Sequence, residues 1–65
     1  MSAEAPTRRA LLTIATARLR AAGVASPDHD AAELLAHVLG TSRGALVLVE
    51  EVAPSAAEEY DVLVG

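Results

Sequence analysis

The sequence predicts an all-α fold, a small bundle of about four short helices. Apolar residues recur at helical spacing through most of the 65-residue chain. The recurring stretches begin near Thr, Ser or Pro, and two of them end at Gly, which are start and stop signals typical of helices. The turns between them are short, and short connections favour antiparallel neighbouring helices. A chain of this length forms one small domain, which buries only about 60% of the surface that its unfolded form exposes.

The first predicted helix runs from about Arg8 to Ala22. Thr7 can cap its start, and Gly23 suits the left-handed position that follows a helix. Residues 1–6 before it are expected to form a flexible tail. One broad apolar stripe is predicted from the helical spacing of Leu11, Leu12, Ala15, Leu19 and Ala22. The opposite side carries Arg9, Thr13, Thr16 and Arg20.

The second predicted helix follows Ser26-Pro27 and ends at Gly40. Either Ser26 is the cap, with Pro27 at the first helical position, or Asp28 is the cap. The acidic residues near this start complement the positive end of the helix dipole, and they are Asp28, Asp30 and Glu33. The buried side is predicted from Ala31, Leu34, Leu35, Val38 and Leu39, and the outer side from His29, Glu33 and His37.

A short third helix and a last helix are predicted in the remaining chain. Ser42 would cap the third helix, from Arg43 to about Leu48. The apolar run 45–49 also has the β-branched content of a buried strand, but a lone strand would have no partner, so a helix is favoured. Residues 50–54 are a predicted loop. The sequence from Ser55 to Glu58 has the pattern of a capping box, which predicts the start of a last helix. The buried side of that helix would be formed by Ala56, Tyr60, Leu63 and Val64.

Charge and composition exclude several functional classes. The net charge is -4, and there is no lysine and no basic run. Such a chain is unsuited to nucleic acid, whose affinity depends on phosphate neutralisation, and to anionic membrane surfaces. The longest apolar run is too short to span a bilayer, and the N-terminus lacks an apolar signal segment, so we expect a cytoplasmic protein. Without cysteine, the chain has neither disulfides nor thiolate metal ligands.

The residues predict no catalytic, cofactor-binding or metal site. The best metal candidates are His29, Glu33 and His37, but the outer two lie about 12 Å apart along a helix, so one ion cannot easily contact all three. A solvated helix side is therefore the favoured interpretation. The single predicted site is a partner-facing set of arginines, because arginine forms paired hydrogen bonds with carboxylates. This set is Arg9, Arg20 and Arg43, and ordinary solvation with ion pairs inside the domain is the competing explanation.

Three ordered segments carry a resemblance to a known family. They are RLRAAGVASP at residues 18–27, DAAELLAHVLG at residues 30–40, and Ser42-Arg43. Together they resemble the N-terminal domain of the HemK/PrmC family, the protein-(glutamine-N5) methyltransferases that modify peptide chain release factors. The similarity extends from about Arg8 to the end of the chain.

The resemblance implies a function that depends on a second domain. It implies that residues 7–65 form a helical substrate-recognition domain, whose partner is a release factor. This domain would precede a Rossmann-like domain that binds S-adenosylmethionine and carries an Asn-Pro-Pro-Tyr motif. The chain contains no asparagine, so that motif is absent and no catalytic or cofactor residue is carried over. The chain alone is therefore not expected to be an enzyme. The alternative is a stand-alone helical interaction or dimerisation module.

Overall fold

The computed structural model describes residues 5–65 as three α-helices and one short 3-10 helix. Helix α1 spans Arg8–Ala21, α2 spans Pro27–Leu39 and α3 spans Pro54–Val64, and the 3-10 helix Gly44–Leu48 lies between α2 and α3. The all-α class is confirmed. A bundle of four helices is not, because the third segment forms only a short 3-10 helix. Residues 1–4 of the expected tail lie outside the described residues.

The predicted ends of the first two helices are confirmed. The Thr7 hydroxyl oxygen accepts a hydrogen bond from the Ala10 amide at 3.1 Å, which caps α1. Ser26 occupies the cap position of α2 with Pro27 at its first position, although the Ser26 side chain forms no capping hydrogen bond. Gly40 ends α2 with φ of +68°, a backbone conformation that glycine adopts without strain. Local signals therefore decided these ends.

The start of α3 corrects the predicted capping box. The helix begins at Pro54 with Ala53 in the cap position, and no side chain caps it. Ser55 therefore lies inside the first turn rather than before it. The physical reason is Pro54, whose ring fixes φ in the helical range and suits the first helical position, where no backbone N–H is needed.

The short third helix predicted from Arg43 to about Leu48 forms as the 3-10 helix Gly44–Leu48, and the strand considered for residues 45–49 does not form. The cap position of the 3-10 helix is Arg43 rather than the predicted Ser42, although the Ser42 hydroxyl oxygen accepts a hydrogen bond from the Ala45 amide at 3.2 Å. Leu46 alone is buried, while Val47 and Leu48 point outward and Leu48 is 81% exposed. Because the apolar residues are consecutive rather than spaced by three or four, they give a longer α-helix no continuous face to bury.

The core is centred on α2, which packs against both α1 and α3. Its buried residues are Ala15, Ala31, Leu35, Ala36, Leu46 and Tyr60. Ala36 was missed by the helical pattern because α2 is covered on two sides and so buries a wider arc than one stripe. Two residues predicted to face inward are exposed: Ala22, which lies beyond the last turn of α1, and Leu63, which is 46% exposed.

A strap ties the start of α1 to residues 49–52. The Arg8 amide donates to the Glu50 carbonyl at 3.0 Å, and the Val52 amide donates to the Pro6 carbonyl at 2.9 Å. These bonds form an antiparallel bridge, and Val52 beneath them is only 1% exposed. The predicted loop is therefore anchored, and its buried valine is a core residue that the sequence pattern did not indicate.

Candidate partner-binding surface

Three of the five arginines are engaged inside the domain. Arg8 donates from Nε to the Val49 carbonyl at 2.9 Å and so strengthens the strap. Arg18 on α1 forms an ion pair with Asp61 on α3. Arg43 lies with Nε 3.7 Å from a carboxylate oxygen of Glu33, and its guanidinium also donates to the His29 ring. Each of these side chains joins two parts of the fold.

The other two arginines, Arg9 and Arg20, point into solvent. Within residues 5–65, neither forms an ion pair. They are eleven residues apart, which is close to three full turns, so they share one side of α1 about 16 Å apart along the helix axis. Thr13 and Thr16 lie between them on the same side. We call these four residues the α1 basic face.

The predicted arginine set is therefore divided by the structure. Arg9 and Arg20 come together on the α1 basic face, as their spacing predicted. Arg43 instead lies against the outer side of α2, where the competing explanation of an ion pair inside the domain applies to it. A role in binding a partner stays a prediction for all three arginines.

The outer side of α2 offers little to a metal ion. His29, Glu33 and His37 are all exposed there, as predicted. Arginine has only donors, so His29 Nδ1 must accept from Arg43, and that nitrogen is then not available as a ligand. In the part of the chain that the structure describes, no group of three or more histidine or acidic side chains is placed to hold a metal ion.

Residues 5–65 form at least two hollows on their surface. A cleft of about 570 Å³ is lined by Thr7, Arg8, Arg9, Glu50 and Glu51, beside the strap. A smaller apolar groove runs between α1 and α3, with the Arg18–Asp61 ion pair on its border. We call it the α1–α3 groove, and its other lining residues are Leu11, Ile14, Ala15, Ala57, Tyr60 and Val64. Ile14, which is 57% exposed, was missed because it lies at the edge of the predicted stripe.

The Tyr60 phenol beside the groove is not available as a base near neutral pH. Burial raises the pKa of Tyr60 to about 12, so its phenol stays protonated, and its hydroxyl donates to the Ala31 carbonyl at 2.8 Å. Among the described residues, no charged side chain is buried.

S-adenosylmethionine does not fit the residues present. Binding folds for such cofactors bring glycine backbone close to the ligand in a turn between a strand and a helix. Here a Cβ added at Gly23, Gly40, Gly44 or Gly65 would meet no atom within 4 Å, so none of the glycines lines a close cradle. Residues 5–65 also hold no strand before a glycine-rich turn. None of the helices formed by these residues is both long and apolar enough to cross a membrane.

Comparisons with known proteins point to one family. The family model described as the PrmC N-terminal domain matches residues 10–65. A release factor glutamine methyltransferase of Deinococcus radiodurans is 58% identical over 50 residues, which cover 74% of this chain and 18% of that protein. One of Mycolicibacterium smegmatis is 46% identical over 57 residues, covering 88% of this chain and 20% of that protein. The chain thus spans about a fifth of these relatives' length. No solved structure matches the chain.

Proposed function

Because the chain belongs to the PrmC N-terminal domain family, we propose that it is the substrate-recognition domain of a release factor glutamine methyltransferase. The family match over residues 10–65 carries the proposal. Two relatives named as such enzymes, matched over about a fifth of their own length, support it further. The partner is then a peptide chain release factor, and a role in translation termination implies the cytoplasm.

The domain contributes binding and not chemistry. Its exposed helix faces add contact area that holds the release factor while a separate catalytic domain, with S-adenosylmethionine, transfers the methyl group. Holding two reactants together removes part of the entropic cost of their encounter. A domain with this task needs a rigid scaffold and a recognition surface, and it needs no buried acid, base or cofactor cradle.

Calorimetry tests this function directly. A release factor titrated into the 65-residue chain is expected to bind weakly, because the chain supplies only part of the contact made by the whole enzyme. The same release factor titrated into a full-length methyltransferase is the positive control. Binding to the full-length enzyme together with none to the chain at high concentration would assign recognition to the catalytic domain and contradict the proposal.

A second candidate is a stand-alone dimerisation module, and exposed apolar side chains favour it. Ile14 in the α1–α3 groove, Val47 and Leu48 in the 3-10 helix, and Val62 on α3 are all largely exposed. Apolar patches of this kind often mark protein interfaces. Sedimentation velocity separates the two candidates, since the recognition domain is expected to be a monomer and a stable dimer would favour the module.

A further inference from the structure

We propose that the α1 basic face docks an acidic segment of the protein partner, with Arg9 and Arg20 each pairing with a carboxylate. This inference deepens the proposed function and rests on it for the identity of the partner, a release factor. It concerns one side of one helix and is independent of the α1–α3 groove, which lies on the other side of α1.

The pairing of charges in the fold singles out this face. The chain has five arginines and no lysine. Arg8, Arg18 and Arg43 are used by the strap, by Asp61 and by Glu33 with His29. Within residues 5–65, Arg9 and Arg20 alone keep their guanidinium groups without an ion pair or a hydrogen bond to another residue. The domain's available positive charge is thus concentrated on the α1 basic face.

The spacing of the two arginines defines what they can bind. They stand about 16 Å apart along α1, with the small side chains of Thr13 and Thr16 between them. A partner segment can therefore lie along the helix without meeting a bulky residue. Two carboxylates three helical turns apart, or about four to six residues apart on one face of an extended strand, would match both guanidinium groups. Each guanidinium can form two parallel hydrogen bonds with its carboxylate.

Acidic side chains on α2 and α3 favour this orientation by repulsion, while Glu50 and Glu51 stand beside Arg9 in the cleft at one end of the α1 basic face. The outer side of α3 carries Glu58 and Glu59, the start of α2 carries Asp28, and all three side chains are exposed. The net charge of -4 means that an acidic segment is repelled from most directions. Complementary and like charges together select the docking face and suppress wrong encounters more than they raise affinity. An acidic partner is thereby directed to α1.

A nucleic acid fits the same face poorly. Affinity for nucleic acid grows with the number of phosphates neutralised, and two separated arginines neutralise few. Single-stranded ligands also need aromatic side chains for stacking, and the chain's one aromatic residue, Tyr60, is buried. We therefore assign the face to a protein segment, and RNA becomes an outcome that the test can detect.

The test maps binding on the isotopically labelled chain by nuclear magnetic resonance. The probes are a purified peptide chain release factor, a synthetic helical peptide with two glutamates eleven residues apart, and a short single-stranded RNA. The test variant is Arg9→Gln/Arg20→Gln. The two arginines that it replaces form no ion pair and no side-chain hydrogen bond with another residue of 5–65. The matched control is Arg18→Gln/Arg43→Gln, which removes the same charge from arginines that pair inside the domain. Circular dichroism melts confirm that both variants fold.

The expected result is a shift of the amide signals of residues 9–20 with the release factor and with the peptide. The Arg9→Gln/Arg20→Gln variant is expected to bind roughly 10-fold more weakly, and the control less than about 3-fold, because exposed charge pairs contribute modestly. Equal weakening in both variants, unchanged binding in the first, or stronger shifts with RNA would overturn the docking face. Peptide binding at α1 without release factor binding would keep the docking face and refute the proposed function.

Discussion

At the scale of single residues, Tyr60 links α3 to α2. It is 2% exposed, and its hydroxyl donates to the Ala31 carbonyl at 2.8 Å. Its inward position was predictable from helical spacing. The hydrogen bond was not, because a carbonyl inside α2 already accepts the helix's own hydrogen bond, and only the crossing of the two helices brings a second donor to it.

Alkaline pH is expected to destabilise the domain through Tyr60. Burial raises the pKa of its phenol from 10.0 to about 12, so the folded state keeps a proton that the unfolded chain loses. The stability is fully present below pH 10.0 and falls between there and about pH 12. The loss is at most about 1.4 kcal/mol per pH unit. Urea unfolding across this range measures it, and the absorbance of the single tyrosine reports the titration.

Tyr60→Phe is the control for that measurement. It retains the ring and removes the phenol, so it is expected to cost about 1 kcal/mol at neutral pH from the lost hydrogen bond. Between pH 10.0 and about 12 its stability is expected to stay nearly level. If the variant lost stability with pH as steeply as the wild type, the pH dependence would belong to another group.

At the scale of elements, local capping chemistry explains which boundaries were predictable. Thr7, Pro27 and Gly40 act within one turn of chain, so their sequence context is sufficient to predict their place. The start of α3 is also set locally, by Pro54 at the first helical position. The 3-10 helix depends on what surrounds it, since Leu46 is held in the core while Val47 and Leu48 are left outside. No period in the sequence encodes that contact.

Two variants compare Thr7, which caps α1, with Ser55, which was predicted to cap the last helix and does not. Thr7→Ala is expected to lower the free energy of unfolding by about 1 kcal/mol, because the Ala10 amide loses its partner. Ser55→Ala is expected to change it by less than about 0.5 kcal/mol, since Ser55 is exposed and caps nothing. Thermal or urea unfolding compares them, and equal losses would mean that α3 begins at Ser55 after all.

At the scale of the whole molecule, the small thickness of the domain explains why so much of its surface is exposed to solvent. The domain measures 37 × 26 × 16 Å, and its shortest dimension is little more than one helix with its side chains. Every helix therefore keeps a broad exposed face, and some apolar residues such as Leu48 remain outside the core. Such a shape suits a domain that presents surfaces to a partner.

Part of the candidate site was predictable from the sequence, and part of it depended on how the whole molecule folds. The eleven-residue spacing of Arg9 and Arg20 is sufficient by itself to put both on one side of a helix. Which arginines pair inside the domain depends on which helices face each other, so the engagement of Arg18 and Arg43 emerged only from the fold. The strap joins residues about 45 positions apart and leaves no periodic signature at all.

Recognition of a release factor is tested most directly by competition with a whole enzyme. Methylation of a release factor by the Deinococcus radiodurans relative would be measured with this chain added in excess. If the chain binds the same surface of the release factor, the apparent KM for the release factor rises and kcat stays unchanged. The Arg9→Gln/Arg20→Gln chain is expected to compete less well. Unchanged kinetics at chain concentrations far above the enzyme's KM would contradict a role in recognition.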